Sequence, residues 1–323
     1  MRLPRVKLTF NLALFFILLL LFISIAFLNS AFLSFDYIIG VMVRNIIELG
    51  LLALPVTLII ITGGIDLSVG STMVLAAMSG GLAAARFGSA AGIAVTILTG
   101  LLCGVFNGVV IAKLKISPLV TTLATMFLYM GIARGMSLGD SVYSYPATQF
   151  LGNTEIGGFP LQILLYAVLA VIFYLILSKT TLGRELFAIG LNENAARYSG
   201  IKTEQKLILI YAISGLVCAL AAMIWLGRFT SIKYDAGTSI GLKVVTIIVL
   251  GGTSILGGLG DIKGTIIATF IIAVLNSGLT VLNIPIDTQT IVHGSILVIS
   301  LITYAILSEK VKKSRIIKPD SVP

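Results

Sequence analysis

The stretch LTFNLALFFILLLLFISIAFL, residues 8–28, runs for 21 positions without a charged side chain. At about 1.5 Å per residue a helix of that length spans about 30 Å, the thickness of a bilayer's hydrocarbon core. Arg2, Arg5 and Lys7 precede it, as in a secretory leader, but the run is long for a leader's apolar region and reads as an uncleaved first span. The rest of the 323 residues has the same character: 58% are hydrophobic and 11% charged, and the mean hydropathy is +1.10. A soluble domain carries about 25% charged residues, so lipid must be the solvent for most of this surface.

Working outward from 8–28, further apolar runs fall at 45–61, 68–85, 90–112, 118–133, 160–178, 207–226, 243–256, 264–283 and 290–307. Because a bilayer span must satisfy its own backbone, these runs predict an all-α polytopic membrane protein with about ten transmembrane helices. Ten helices of about 20 residues leave short connections and no room for a separate soluble domain. The runs at 68–85 and 243–256 each abut a glycine-rich segment, so their ends are the least defined.

The net charge is +9, from 22 Lys and Arg against 13 Asp and Glu. The cations sit in short runs between apolar segments, which points to the positive-inside rule and not to nucleic acid. With the N-terminus inside, 16 of the 22 fall in inner segments; Arg44, Arg86, Arg134, Arg228, Lys233 and Lys243 fall in outer ones. The bias places both termini in the cytoplasm, together with the basic tail 308–323. Two connections are long: 134–159, expected outside, and 179–206, expected in the cytoplasm and the most polar stretch of the chain. VTLIIITGG (56–64) and VTIIVLGG (245–252) echo one another, each an apolar run ending in a glycine pair.

Three segments stand out chemically. In GGIDLSVGS (63–71), Gly63, Gly64 and Gly70 permit backbone shapes closed to other residues, and Asp66 and Ser68 are helix N-cap types. A capped turn, a solute contact and a gating or assembly element all fit those residues. GRELFAIGLNENAARYSGIK (183–202) reads as a short amphipathic helix with Leu186, Ile189 and Leu191 apolar and Asn192 to Asn194 as a cap region. Its small residues Ala195 and Ala196, closed by Gly200, suit docking into a groove of another protein; a solvated surface helix is the alternative. VVTIIVLGGTSILGGLGDIKG (244–264) is glycine-rich but is no phosphate loop, since Lys263 is followed by Gly264. Close helix packing accounts for its glycines equally well.

Asn45, Glu48, Asn107 and Asn276 are polar residues within apolar runs, and the asparagines are candidate solute contacts. His293 is the single histidine and reads as a packed residue; Cys103 and Cys218 read as small buried hydrophobes. No metal-ligand cluster and no nucleophile–base pair can be read from the sequence, so no catalytic residue is assigned.

Four strings together resemble the sugar-type permeases of ABC importers, the family serving ribose, xylose and related solutes. They are GGIDLSVGS (63–71), FNGVVIAKLKISPLVTTLATMFLYMGIARG (106–135), NENAARYSGI (192–201) and VLGGTSILGGLGDIKGT (249–265), in family order over nearly the whole chain. The resemblance implies one transmembrane permease domain, 1–323, in the bacterial inner membrane, with no cofactor of its own. It implies a second permease chain, two cytoplasmic ATPase subunits that bind ATP and Mg, and an extracytoplasmic solute-binding protein. It places ATPase coupling at Glu193, Ala195, Ala196, Arg197 and Gly200. Two departures stand out: GTSIGLKVVT (237–246) has Gly241 and Lys243 where such permeases carry an acidic pair, and Asn194 stands where Glu is common. The first weakens the implication of a pentose. EIGGFP (155–160) resembles permeases that import autoinducer-2, and rhamnose-type permeases are a further relation. A branched-chain amino-acid ABC permease is the nearest alternative, and an ion-coupled secondary transporter the alternative from another class.

Overall fold

The computed structural model describes residues 4–285, 287–300 and 302. Helix α1, Pro4–Leu28, takes in the whole 8–28 run. A 3-10 turn at Ser30–Leu33 leads to α2, Phe35–Tyr37, which passes into a π-helical segment, Ile38–Val43. After a break at residues 44–46, α3 runs Ile47–Ile61, at 52° to the segment before it. Then follow α4 (Val69–Phe87), α5 (Ser89–Lys113), α6 (Pro118–Ser137), α7 (Pro146–Asn153), α8 (Leu161–Lys179), α9 (Thr181–Leu191), α10 (Glu193–Tyr198), α11 (Thr203–Phe229), α12 (Ile240–Leu250) and α13 (Ile262–Val281). A last helix, α14, covers 287–300. The only strands among the described residues are two-residue ribbons: Val142–Tyr143 pairs with Ser231–Ile232, and Glu155–Ile156 with Phe159–Pro160.

The protein is an all-α, polytopic membrane protein. Among the described residues six helices are long and apolar enough to cross a bilayer, or seven if the bent pair Phe35–Val43 and Ile47–Ile61 is one span. The sequence-predicted runs differ from this in four places. The run 45–61 is the 15-residue α3, which spans only together with the segment before the bend. The run 68–85 is a 19-residue helix, α4, but its Gly, Ala and Ser content keeps it out of the six. The run 243–256 is the 11-residue α12, which begins at Ile240 and stops before Gly251, about half a span. The end of the run 290–307 and the tail 308–323 lie outside the described residues.

Helix α3 is the centre of the bundle: every residue from Ile47 to Ile61 is buried. An apolar helix covered on all sides by protein needs no polar face. Small residues let its neighbours approach. Added Cβ atoms at Gly100 and Gly215 would each meet the other helix's backbone, at 2.4 Å and 2.1 Å, so α5 and α11 pack backbone to backbone. Cys103 and Cys218 are unpaired and buried in this packing, as expected of small hydrophobes. His293 is also buried.

The two long connections sit at opposite ends of the bundle. One end carries α7 and the ribbons, the other α9 and α10, with the 19 residues of α8 between them.

Candidate functional site

Two breaks in the helices meet inside the bundle. The first is 62–68. Gly63 has φ +85°, a conformation open to glycine, and turns the chain off the end of α3. The second is 233–239, which leads from the ribbon at Ser231–Ile232 to the first residue of α12. The two touch through backbone: a Cβ on Gly70 would lie 2.2 Å from the Gly237 carbonyl oxygen, and one on Gly241 2.4 Å from that of Leu67. Irregular backbone within a membrane protein persists where protein lines it, and half-helices meeting at such a point are a transporter device.

A chain of hydrogen bonds holds the first break. Asp66 is buried, and its Oδ1 accepts from the Ser68 amide at 2.9 Å and the Ser68 hydroxyl at 2.6 Å. Ser68 Oγ in turn accepts from Asn107 Nδ2 at 2.8 Å, and Asn107 Oδ1 accepts from the Tyr129 hydroxyl at 3.1 Å. Thr122 Oγ1 donates to the Ile65 carbonyl at 3.0 Å. The loop is thereby tied to α5 and α6. Ser68 occupies the N-cap position of α4 but makes no side-chain cap bond, because its hydroxyl is spent on Asp66. The cap expected of Asp66 and Ser68 is thus a turn closed upon itself and anchored to Asn107.

The three candidate asparagines are not brought together. Asn107 is buried in the network just described. Asn45 is exposed in the break before α3. Asn276 is half-buried on α13, its Oδ1 without a partner. Lys243, assigned by sequence to an outer connection, lies instead on α12 and is half-buried. The chain has already entered the bundle by Gly237, so no outer loop reaches that far.

At the opposite end 181–198 forms two helices where one was expected. Asn192 breaks them, and its side chain accepts from the Ala195 amide at 3.0 Å as the N-cap of α10. Leu186 and Ile189 are buried as expected, but Leu191 is 74% exposed, since the break turns it off the buried face. Ala196 is buried, Ala195 is exposed, and Gly200 closes α10 with φ +85°. Glu193 and Arg197 belong to a four-membered charge cluster. Lys115 lies 3.2 Å from Glu193 and 3.7 Å from Glu204, and Arg197 lies 3.3 Å from Glu193 and 3.4 Å from Glu204. Helix α9 meets the end of α3 backbone to backbone: a Cβ on Gly190 would fall 1.9 Å from the Ile61 carbonyl oxygen, which also accepts from the Gly258 amide at 2.8 Å. The glycine block 251–264 thus serves close packing, and it also joins the end of α3 to α9.

Sequence reasoning missed two features here. Tyr198 is 91% exposed, an aromatic in the most polar stretch of the chain, and that mismatch was a readable signal. Lys115 and Glu204 come from elements far apart in sequence and gave none. At the α7 end, Glu48 pairs with Arg228 at 3.1 Å, both buried. A carboxylate already neutralised by an arginine is a poor ion-coupling group.

Comparison with known proteins adds to this geometry. The family model described as "Branched-chain amino acid transport system / permease component" matches residues 37–301. The chain belongs to this family. The permease is 34% identical over 301 residues to the "Autoinducer 2 import system permease protein LsrD" of Photorhabdus luminescens, covering 91% of this chain and 90% of the relative. It is 37% identical over 264 residues to the protein of that name from Enterobacter sp. (strain 638), covering 79% and 80%. The Escherichia coli O157:H7 protein of that name is 32% identical over 306 residues, covering 92% of each. No solved structure matches the permease. The resemblance to sugar-type ABC permeases is borne out, and this chain is the membrane-spanning permease of such an importer.

Proposed function

We propose that this permease imports a small furanose-like solute of the autoinducer-2 type across the bacterial inner membrane, driven by ATP hydrolysis in separate ATPase subunits. The name shared by relatives that match along nine-tenths of the chain carries the proposal. The residue types around the 62–70 break are consistent with it. A neutral polyol needs hydroxyl and amide partners and no fixed counter-charge, and the polar groups around the 62–70 break are Ser68, Asn107, Thr122 and Tyr129, with Asp66 held by Ser68.

In this reading the α9–α10 end faces the cytoplasm and the α7 end faces outward, with about ten spans and both termini inside. Helix α10, with Glu193, Ala195, Ala196 and Arg197 and closed by Gly200, rests on an ATPase subunit, and the exposed Tyr198 and Leu191 supply the apolar contact. ATP-driven closure of two such subunits moves α9 against the end of α3 and switches the pathway between its two openings. A second permease chain completes the pathway, and an extracytoplasmic binding protein delivers solute. Gly63, Gly64, Asp66, Ser68 and Gly70 form the structural turn beside the pathway.

The family description names branched-chain amino acids, and this is the second reading. Uptake of labelled autoinducer-2, ribose and leucine into cells with and without the gene separates the two. Gene-dependent, ATP-dependent uptake of autoinducer-2 is the expected result. Gene-dependent uptake of leucine alone would transfer the permease to the amino-acid branch. Uptake that survives ATP depletion but not an uncoupler would make it a secondary transporter.

A further inference from the structure

The α7 end of the bundle buries two opposite charges within the protein. Glu48 lies in the first turn of α3 and is 1% exposed; Arg228, near the end of α11, has a side chain 8% exposed. Their ion pair, at 3.1 Å, is joined by two further contacts. Arg228 donates to the carbonyl of Arg44, on the near side of the break before α3. Arg44 donates through its guanidinium to the Gly152 carbonyl at 2.6 Å and to Asn153 Oδ1 at 3.0 Å, both at the end of α7. One cluster therefore joins α11, α3, the 52° bend and α7.

Net stability does not explain such a cluster. Two buried charges lose hydration about as costly as the attraction they gain, and a well-packed apolar pair often does as well. A buried ion pair does supply register, because an axial shift of α3 would separate Glu48 from Arg228, while the hydrogen bonds of Arg228 to the Arg44 carbonyl and of Arg44 to Gly152 and Asn153 hold the cationic side in place. The other end of α3 is equally constrained. Its last carbonyl, that of Ile61, accepts from Gly258 at 2.8 Å and lies against Gly190 of α9. Between the two ends α3 is continuous and buried along its whole length, Pro55 included, so the packing around it couples movement at one end to the other.

We propose that Glu48, Arg228 and Arg44 are positioning residues that latch α3 to the α7 cap, so that displacement of the α9–α10 segment travels along α3 to the opposite face. This rests on the proposed docking of α9–α10 on an ATPase, which supplies the displacement. An α3 shift of one to two ångströms, typical of helix movements in switching proteins, is enough to part Glu48 from Arg228. The latch is then closed in one state of the cycle and open in the other.

The test is hydrogen exchange on the full permease in lipid nanodiscs, with Glu48→Gln against the unmodified chain. Met73→Ala, a truncation of a buried α4 residue, serves as the control for general loosening. Glu48→Gln is expected to raise exchange about tenfold both over 146–153, at the cap, and over 185–198, at the other end, while Met73→Ala gives no such pair. A rise confined to 146–153 would make the cluster a local clasp and overturn the proposal, as would no rise at either segment, or the same paired rise in Met73→Ala. If Glu48→Gln does not insert, Arg44→Lys decides by the same criteria, since it keeps the charge but loses the two-pronged contact with Gly152 and Asn153. Uptake plays no part in the readout, so a wrong account of the transported solute leaves this result standing.

Discussion

Replacing Gly190 by alanine adds one methyl group at the contact between α9 and α3. Its Cβ would lie 1.9 Å from the Ile61 carbonyl oxygen and 2.6 Å from the Gly258 nitrogen. A carbon and a carbonyl oxygen rest at about 3.3 Å, so the two backbones must part by about 1.4 Å. Neither neighbour is a flexible side chain that could move aside. Parting them breaks the Gly258–Ile61 hydrogen bond, worth about 1 kcal/mol net, and strains the surrounding packing by about 1–3 kcal/mol. Alanine's better helix propensity returns about 1 kcal/mol. The balance is a loss of about 1–3 kcal/mol. Gly131→Ala is the comparison, because it lies in α6 with open space around the added carbon and should stabilise by up to about 1 kcal/mol. Thermal unfolding of the purified permease in detergent reads the difference, and uptake in whole cells reads its consequence, which is loss of transport for Gly190→Ala alone. If Gly190→Ala melts no earlier than Gly131→Ala and transports normally, the close contact between α9 and α3 has no bearing on stability or coupling.

Other substitutions separate structure from docking. Tyr198→Ala removes a side chain that is 91% exposed, so stability should change by less than about 0.5 kcal/mol while uptake falls at least about tenfold, read by melting and transport on the same preparation. Asn107→Leu removes the amide that joins Ser68 to Tyr129; Ser68 keeps Asp66 and Tyr129 keeps the Cys103 carbonyl, so the loss should be about 1–3 kcal/mol in all, measured by the same melting assay. Lys115→Gln removes one member of a cluster whose side chains are 41–46% exposed, so the expected loss is under about 1 kcal/mol, and transport should stay above half.

The sequence revealed those parts of the fold that local pattern encodes. The uncharged run 8–28 is α1, and the positions of α5, α6, α8, α11 and α13 follow other apolar runs. The apolar run 243–256 predicts a span, where the structure has the half-helix α12. What ends it early is the turn at Gly252, φ +85°, beside the close approach of Gly251 to Gly264, and what sets its start is the approach of Gly237 to Gly70, a contact between residues 167 positions apart that no local pattern records. The same holds for Glu48 and Arg228, which are separated by most of the chain. The echo between 56–64 and 245–252 has a structural counterpart, since Thr57 and Thr246 each bond the carbonyl four residues back and each run ends in a glycine pair. The left-handed residue is the first of one pair, Gly63, but the second of the other, Gly252. In 183–202 the residue types are readable, and of the expected cap region Asn192 to Asn194 it is Asn192 that caps α10. Which residues face outward depends on the break after Leu191, and that became visible only in three dimensions.

Docking of α10 on an ATPase is the central claim, and a photo-crosslinking residue placed at the exposed position of Tyr198 tests it most directly in intact membranes. Capture of an ATPase carrying nucleotide-binding motifs, lost when Ala195 is replaced by a bulky residue, is the result the proposed function requires. No crosslinked partner at that position, in membranes that still take up solute, would contradict it.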